Sequence, residues 1–175
     1  NLTPDSFSDG GQNADMQVLE SRLHEWIEAG VQVLDFGAES TRPDAQSLSA
    51  AEEWSQLEPV FPVLDELRRQ HILMPLVSVD THHPQTAAKV LGRGVDWIND
   101  VSGLQDSTMQ ALIREYNATA VAMHSISVPV QPGEALDASR PAAHQLIAWL
   151  GARAEQWRQA GLRHGQIIFD PGIGF

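Results

Sequence analysis

The sequence contains no cysteine, and aromatic residues make up only 6% of its 175 residues. Without cysteine the chain has no disulfide framework, no thiolate metal site and no catalytic thiol. No apolar run approaches the roughly 20 residues that a membrane-spanning helix needs, and no signal peptide opens the chain. The GxGxxG and GxxxxGK[ST] patterns of nucleotide-binding loops are also missing. We therefore expect a globular protein of the cytoplasm with no membrane partner.

Basic side chains are scarce as well. The 11 Lys and Arg residues face 23 Asp and Glu residues, which gives a net charge of −12. Because an acidic excess repels phosphate backbones, we expect no nucleic-acid partner. The length suits one domain with a sizeable core. Asn1 and Phe175 both fall in loop-like segments, so we expect residues 1–175 to be a single domain that is incomplete at both ends.

Short apolar runs alternate with longer amphipathic helical patterns along the chain. The predicted strands are Val31–Phe36, Leu76–Asp80, Trp97–Asp100, Thr119–His124 and Ile167–Asp170. This alternation predicts an α/β fold with a parallel sheet, either open and doubly wound or closed as a (β/α)8 barrel, also called a TIM barrel. If residues 1–11 leave an earlier strand, six strand ends are present. Since a complete barrel needs about 250 residues, we interpret the chain as roughly its first six βα units.

Several residues predict where helices begin and break. Ser49 and Glu52 have the spacing of a capping box. Pro59 and Pro62 interrupt the apolar stripe that follows, which predicts a kink or a restart. Pro84 suits the first turn of another helix.

Polar residues follow each predicted strand, where parallel α/β folds bind their ligands. Asp80, Asn99 and Asp170 are the candidate ligand-binding set, because carboxyl and amide groups match a flat heterocycle with ring donors and acceptors. The alternative for each is a helix cap or a turn residue. His82 and His83 are adjacent and are expected not to share one face. A metal site built from histidines and Asp170 is disfavoured, because no HxH or HExxH spacing supports it.

Two polar loops are further candidates. The opening segment Asn1–Gly11 carries side-chain oxygens and one aromatic residue, Phe7, and is interpreted as a mobile lid or else as a solvated tail. Arg42, between Thr41 and Pro43, can grip a phosphate or carboxylate in a fork geometry, or else form a surface salt bridge.

The motifs of these loops resemble dihydropteroate synthase, a pterin-binding enzyme family, in order and spacing. They are NLTPDSFSDGG at 1–11, ESTRP at 39–43, VSVDT at 77–81, INDV at 98–101 and FDPGIGF at 169–175. The resemblance spans the whole chain. It implies a (β/α)8 barrel and a transferase of folate biosynthesis. Such an enzyme joins 6-hydroxymethyl-7,8-dihydropterin pyrophosphate to p-aminobenzoate, gives 7,8-dihydropteroate and pyrophosphate, and requires Mg²⁺.

The resemblance also implies roles for individual residues. Asp80, Asn99 and Asp170 would hold the pterin ring and so serve catalysis, and Asn1 would help to bind Mg²⁺ and the pyrophosphate. The residues that would shape the p-aminobenzoate and pyrophosphate subsite, which sulfonamides also occupy, are Phe7, Ser8, Thr41, Arg42 and Pro43. A homodimer is expected for the full-length protein.

Some features depart from the family pattern. Ala38 stands where the family has glycine, and Ser125–Pro129 replaces the usual turn after His124. The late Lys, Arg and His of the family are not in these residues, so we expect the isolated chain to be inactive. The alternatives are a pterin-binding methyltransferase domain, a non-catalytic pterin-binding paralogue and a glycoside hydrolase using Glu39 and Asp170. The low aromatic content disfavours the glycoside hydrolase.

Overall fold

A computed structural model describes residues 12–39, 47–71, 73–128 and 134–173. Its helices and strands alternate almost throughout. In chain order they are α1 (Gln12–Glu28), β1 (Val33–Gly37), α2 (Ala50–Leu57), α3 (Val60–Gln70), β2 (Leu76–Asp80), α4 (Pro84–Leu91), β3 (Trp97–Asp100), α5 (Ser107–Glu115), β4 (Thr119–Met123), α6 (Ala142–Gln159) and β5 (Ile167–Asp170), with a 3₁₀ turn at His164–Gln166 before β5. All five predicted strands are present, with ends that differ by at most two residues from the prediction. The sixth strand end was assigned to residues 1–11, which lie outside the described residues.

The helix signals in the sequence act as predicted. Ser49 caps α2, and Glu52 completes the capping box by accepting from the Ser49 backbone N–H at 2.8 Å. The helix ends at Leu57, and α3 begins at Val60, because Pro59 and Pro62 remove backbone donors at this point. Pro84 occupies the first turn of α4. None of the described helices is long and apolar enough to cross a membrane.

The five strands form one parallel sheet in the sequential order β1-β2-β3-β4-β5. Each connection between neighbouring strands passes through at least one helix. Because such connections are right-handed and every one of them leads to the next strand on the same side, the helices lie on the same face of the sheet. The strand order does not reverse, so a doubly wound sheet, in which helices cover both faces, does not fit these strands.

The core lies between the helices and one face of this sheet. Alternate strand residues such as Leu34, Val79, Ile98 and Ala120 are buried against the helices. The residues between them belong to the opposite face, because side chains alternate along a strand. Asp80 and Asn99 lie on this second face and are only half-buried. The candidate ligand-binding residues are therefore on the face without helices.

Candidate active site

The ends of β2 and β3 place Asp80 beside Asn99. The two residues are direct partners in the parallel register, so their side chains project from the same face of the sheet. The Asn99 carbonyl accepts the Thr81 backbone N–H at 3.0 Å, which fixes the chain just after Asp80. The predicted pair is thus brought together.

Asp170 lies two strands further along, at the end of β5. Asn99 pairs with Val121, and Val121 pairs with Ile168. Asp170 follows Ile168 by two residues and therefore shares the face of Asp80 and Asn99. Its Oδ1 accepts the Gly172 backbone N–H at 2.8 Å, so Asp170 also serves the turn that follows it.

Burial and negative charge dominate the electrostatics around Asp80. Burial raises the pKa of Asp80 to about 7, and repulsion from neighbouring carboxyl groups adds to this. These neighbours are Asp35, Glu53, Asp100 and Glu39. Near neutral pH the Asp80 carboxyl is therefore present in both protonation states, and the protonated form can donate one hydrogen bond while accepting another.

Asp100 follows Asn99 but points to the other face, where it is fully buried. Its carboxylate accepts the backbone N–H of Ser102 at 2.8 Å and that of Leu104 at 3.1 Å, and also the Ser102 hydroxyl at 2.6 Å. Burial raises the pKa of Asp100, while these hydrogen bonds oppose the shift. Asp100 is therefore a turn residue that stabilises the loop beside the site.

Glu53 is a buried acid that the sequence analysis missed. It is fully buried on α2, and its Oε2 accepts the Thr81 hydroxyl at 2.7 Å. The same Thr81 oxygen accepts the His83 backbone N–H at 3.1 Å. A signal was present, because Glu53 lies four residues before the buried Leu57 and so falls in the apolar stripe of the helix.

The prediction that His82 and His83 could not share one face is wrong. Their ring centroids are 4.2 Å apart, and both histidines lie with Glu39 in one cluster of possible metal ligands. Opposite faces are a property of strands, whereas these residues lie in the loop between β2 and α4. His124 is elsewhere: its ring packs edge-on against Trp149 at 5.1 Å, and burial lowers its pKa.

The remaining predicted site residues lie outside the described residues. They are Asn1, Phe7, Ser8, Thr41, Arg42 and Pro43. In the described part of the chain, the candidate active site is therefore the face that carries Asp80, Asn99 and Asp170. It offers carboxyl and amide groups that can hold a planar ring through several hydrogen bonds at once.

Comparisons with known proteins all point to one family. A family model described as "Pterin binding enzyme" matches residues 1–175. The chain is 40% identical, over 175 residues, to a probable bifunctional folylpolyglutamate synthase/dihydropteroate synthase of Halobacterium salinarum, with 100% of this chain and 21% of that protein covered. It is 36% identical, over 176 residues, to dihydropteroate synthase of Streptococcus pyogenes serotype M3, with 100% and 61% covered.

A solved structure shows the same fold. The crystal structure of dihydropteroate synthase from Clostridium difficile in the presence of pteroic acid matches with a TM-score of 0.84 at 31% identity. The match covers 100% of this chain and 62% of that one, so the chain spans about three fifths of the length of this synthase. The predicted (β/α)8 barrel class is confirmed, with the five described strands forming part of it.

Proposed function

Since the chain belongs to the pterin-binding enzyme family, we propose that it carries a large part of the active site of a dihydropteroate synthase. The proposed reaction condenses 6-hydroxymethyl-7,8-dihydropterin pyrophosphate with p-aminobenzoate in folate biosynthesis. The observation that carries the proposal is the single face shared by Asp80, Asn99 and Asp170. A relative crystallised in the presence of pteroic acid, in which a pterin is joined to p-aminobenzoate, supports it.

The three site residues are proposed to bind the pterin ring. A pterin presents ring N–H and amino donors beside ring acceptors, and Asp80, Asn99 and Asp170 supply the complementary acceptors and donors. An analogue that lacked one of these groups would leave a buried partner unpaired, which costs about 1–3 kcal/mol. This group of residues therefore favours a pterin over a ring that merely has a similar shape.

The chemistry requires positioning rather than a protein nucleophile. The bond between the pterin methylene carbon and the pyrophosphate oxygen breaks, and the electron pair leaves with pyrophosphate. The amine nitrogen of p-aminobenzoate then bonds to the methylene carbon and loses a proton. Holding both reactants in line supplies the main rate advantage. The carboxyl groups around Asp80 are placed to stabilise positive charge that develops on the pterin.

Mg²⁺ is the proposed cofactor. The face that carries Asp80, Asn99 and Asp170 supplies carboxylate oxygens, which are the ligands that Mg²⁺ prefers. These oxygens and the phosphates of the substrate are suitable ligands for such an ion. Bound Mg²⁺ would neutralise the charge of the departing pyrophosphate. Asn1 is proposed as its protein ligand, by match to the family motif. Phe7, Ser8 and the segment Thr41–Pro43 are proposed to form the p-aminobenzoate and pyrophosphate subsite.

The full-length protein is proposed to be a homodimer of the cytoplasm, as the family resemblance implies. We also propose that the 175 residues alone neither close a barrel nor catalyse. The sequential sheet of the described residues supports this, because β1 and β5 are its two unjoined edges.

Pyrophosphate release by the full-length protein tests the function. Both substrates and Mg²⁺ are supplied to the wild type and to the variants Asn99→Ala and Asp170→Asn. We expect release from the wild type and a loss of at least about tenfold in kcat/KM for each variant, since each leaves a pterin group unpaired. Glu155→Gln changes an exposed carboxylate on α6 and is the matched control, with activity close to wild type.

The alternatives give different results in the same experiment. Pterin pyrophosphate binding without release would contradict the synthase and favour a pterin-binding paralogue or a methyltransferase domain. Calorimetric titration with pterin pyrophosphate separates binding from turnover. Release from the isolated 175-residue chain would contradict the proposal that this part alone is inactive.

A further inference from the structure

A second group of side chains lies at the rim of the same face, next to the proposed pterin site. Glu39 comes two residues after β1, and His82 and His83 follow β2. Each of the three offers one ligand atom, and these atoms all lie within 4.8 Å of one another. All three side chains are half-buried, so the cluster is part of the folded rim rather than a set of solvated surface groups.

One carboxylate oxygen of Glu39 is buried and unpaired within the described part of the chain. Its Oε2 is buried from solvent and has no hydrogen-bond partner among the described residues. A buried carboxylate oxygen without a partner costs free energy unless a donor or a cation reaches it. A donor or a cation would satisfy this carboxylate, and ligand atoms of His82 and His83 lie within 4.8 Å of a carboxylate oxygen of Glu39.

His83 makes a backbone contact of the kind that metal-ligating histidines make. Its Nε2 lies 3.0 Å from the carbonyl oxygen of Leu48. A carbonyl can only accept, so Nε2 carries the proton and donates it, and Nδ1 of the neutral ring keeps its lone pair. Metal-ligating histidines commonly donate their second ring N–H to a backbone carbonyl in this way, which fixes both tautomer and ring orientation.

The surroundings also favour a cation. Glu53 is fully buried beside the histidine loop: its Oε2 accepts the Thr81 hydroxyl at 2.7 Å, and the same hydroxyl oxygen accepts the His83 backbone N–H at 3.1 Å. A bound divalent ion would place positive charge near this buried carboxyl group.

We propose that Glu39, His82 and His83 bind a divalent transition-metal ion of the Zn²⁺ type. Two imidazole nitrogens and one carboxylate oxygen are the donors that Zn²⁺, Co²⁺ and Ni²⁺ accept, whereas Mg²⁺ selects oxygen ligands. The site is therefore distinct from the Mg²⁺ site proposed at Asn1. Three protein ligands leave a coordination position open for water or for an anionic oxygen. This inference does not depend on the proposed synthase activity.

Titration of the tag-free full-length protein with Co²⁺ tests the site. The visible d–d absorption of bound Co²⁺ reports the ligands directly, and competition with Zn²⁺ gives the relative affinity. We expect one equivalent to bind. Glu39→Gln and His82→Gln should each weaken binding at least about tenfold, since loss of even an outer-sphere partner costs about 10–100-fold.

His24→Gln is the matched control. His24 belongs to the other histidine pair of the described chain, in which its Nδ1 lies 2.9 Å from Nε2 of His71. Binding should be unchanged in this variant. The proposal is overturned if the wild type gives no Co²⁺ absorption, or if folded His82→Gln binds Co²⁺ as tightly as the wild type does. Circular dichroism shows whether each variant is folded. If Glu39→Gln does not fold, the Co²⁺ affinity of His82→Gln alone tests the proposal.

Discussion

Asp80 is the residue at which the site and the stability of the fold are most directly linked. The folded state raises its pKa from 3.8 to about 7, so the folded chain binds a proton that the unfolded chain releases between these values. Stability therefore falls as pH rises through this window. A tenfold change in proton affinity is worth about 1.4 kcal/mol, which limits the penalty to about 4 kcal/mol. Partial exposure of Asp80 reduces the expected penalty to about 2 kcal/mol.

Asp80→Asn should remove this penalty. Asparagine resembles the protonated carboxyl, so the variant and the wild type should differ little in stability near about pH 4. At about pH 8 the variant should be more stable by about 2 kcal/mol. Urea unfolding at both pH values measures the difference. Glu115→Gln, at an exposed position on α5, is the control, and it should change the free energy of unfolding by the same amount at both pH values. A pH-independent effect of Asp80→Asn would contradict the argument.

Position 172 requires glycine for two reasons, its backbone φ angle and the close approach of a neighbouring backbone atom. Its φ is +67°, and a Cβ at this position would overlap the carbonyl oxygen of His124. Gly172→Ala should therefore lower the free energy of unfolding by about 2–5 kcal/mol, through left-handed strain and overpacking together. Asp170 accepts from the Gly172 N–H, so affinity for pterin pyrophosphate should fall too. Thermal unfolding and calorimetric titration measure the two effects.

Two other glycines separate strain from overlap. Gly30 has a φ of +81° but nothing within 4 Å of a Cβ, so Gly30→Ala should cost only about 1–2 kcal/mol. Gly165 has open space around it, and Gly165→Ala should be close to neutral. Equal losses in the three variants would show that overlap with His124 is unimportant.

Among the elements, the strands and most helix ends were predictable, whereas the tertiary partners of polar groups were not. Apolar runs and Pro84 act through local physics, so the sequence alone reveals them. The cluster of Glu39, His82 and His83 depends on how two separate loops meet, which no local pattern encodes. The common face of Asp80, Asn99 and Asp170 was predictable, because the carboxyl ends of parallel strands lie at the same end of a barrel.

Gln166 stabilises the start of β5 through hydrogen bonds to residues that are distant in the sequence. It is buried before β5, and its Nε2 donates to the carbonyl of Ile113 at 3.2 Å and that of Ala118 at 3.1 Å. Gln166→Glu keeps the shape but replaces this donor with a carboxylate oxygen. Two buried carbonyls would lose their partner, so stability should fall by about 2–4 kcal/mol.

Unfolding in urea measures this loss, and Gln85→Glu is the matched control. Gln85 is exposed on α4, so the same chemical change there should stay within about 0.5 kcal/mol of wild type. If Gln166→Glu were equally neutral, the two hydrogen bonds would not be what holds the start of β5.

At the scale of the whole molecule, the sheet has two edges within the described residues, and the β5 edge is apolar. Ile168 is 40% exposed there. Beside β5, an open groove of about 520 Å³ is lined by Leu150, Trp157, Leu162, Ile167 and Phe169, together with polar residues of α6 and of the turn before β5. An unpaired strand next to an apolar groove is a template for association with another chain.

The 175-residue chain produced on its own should therefore self-associate at concentrations of about 10–100 µM, whereas the full-length protein should not form the same concentration-dependent aggregates. Sedimentation velocity over a dilution series measures this. Ile168→Lys should reduce the association, because a charged residue on an edge strand opposes pairing. Glu20→Lys, a matched change to lysine on α1, adds positive charge away from the β5 edge and should leave the association unchanged. A monomeric isolated chain throughout the series would show that the β5 edge is protected by other means.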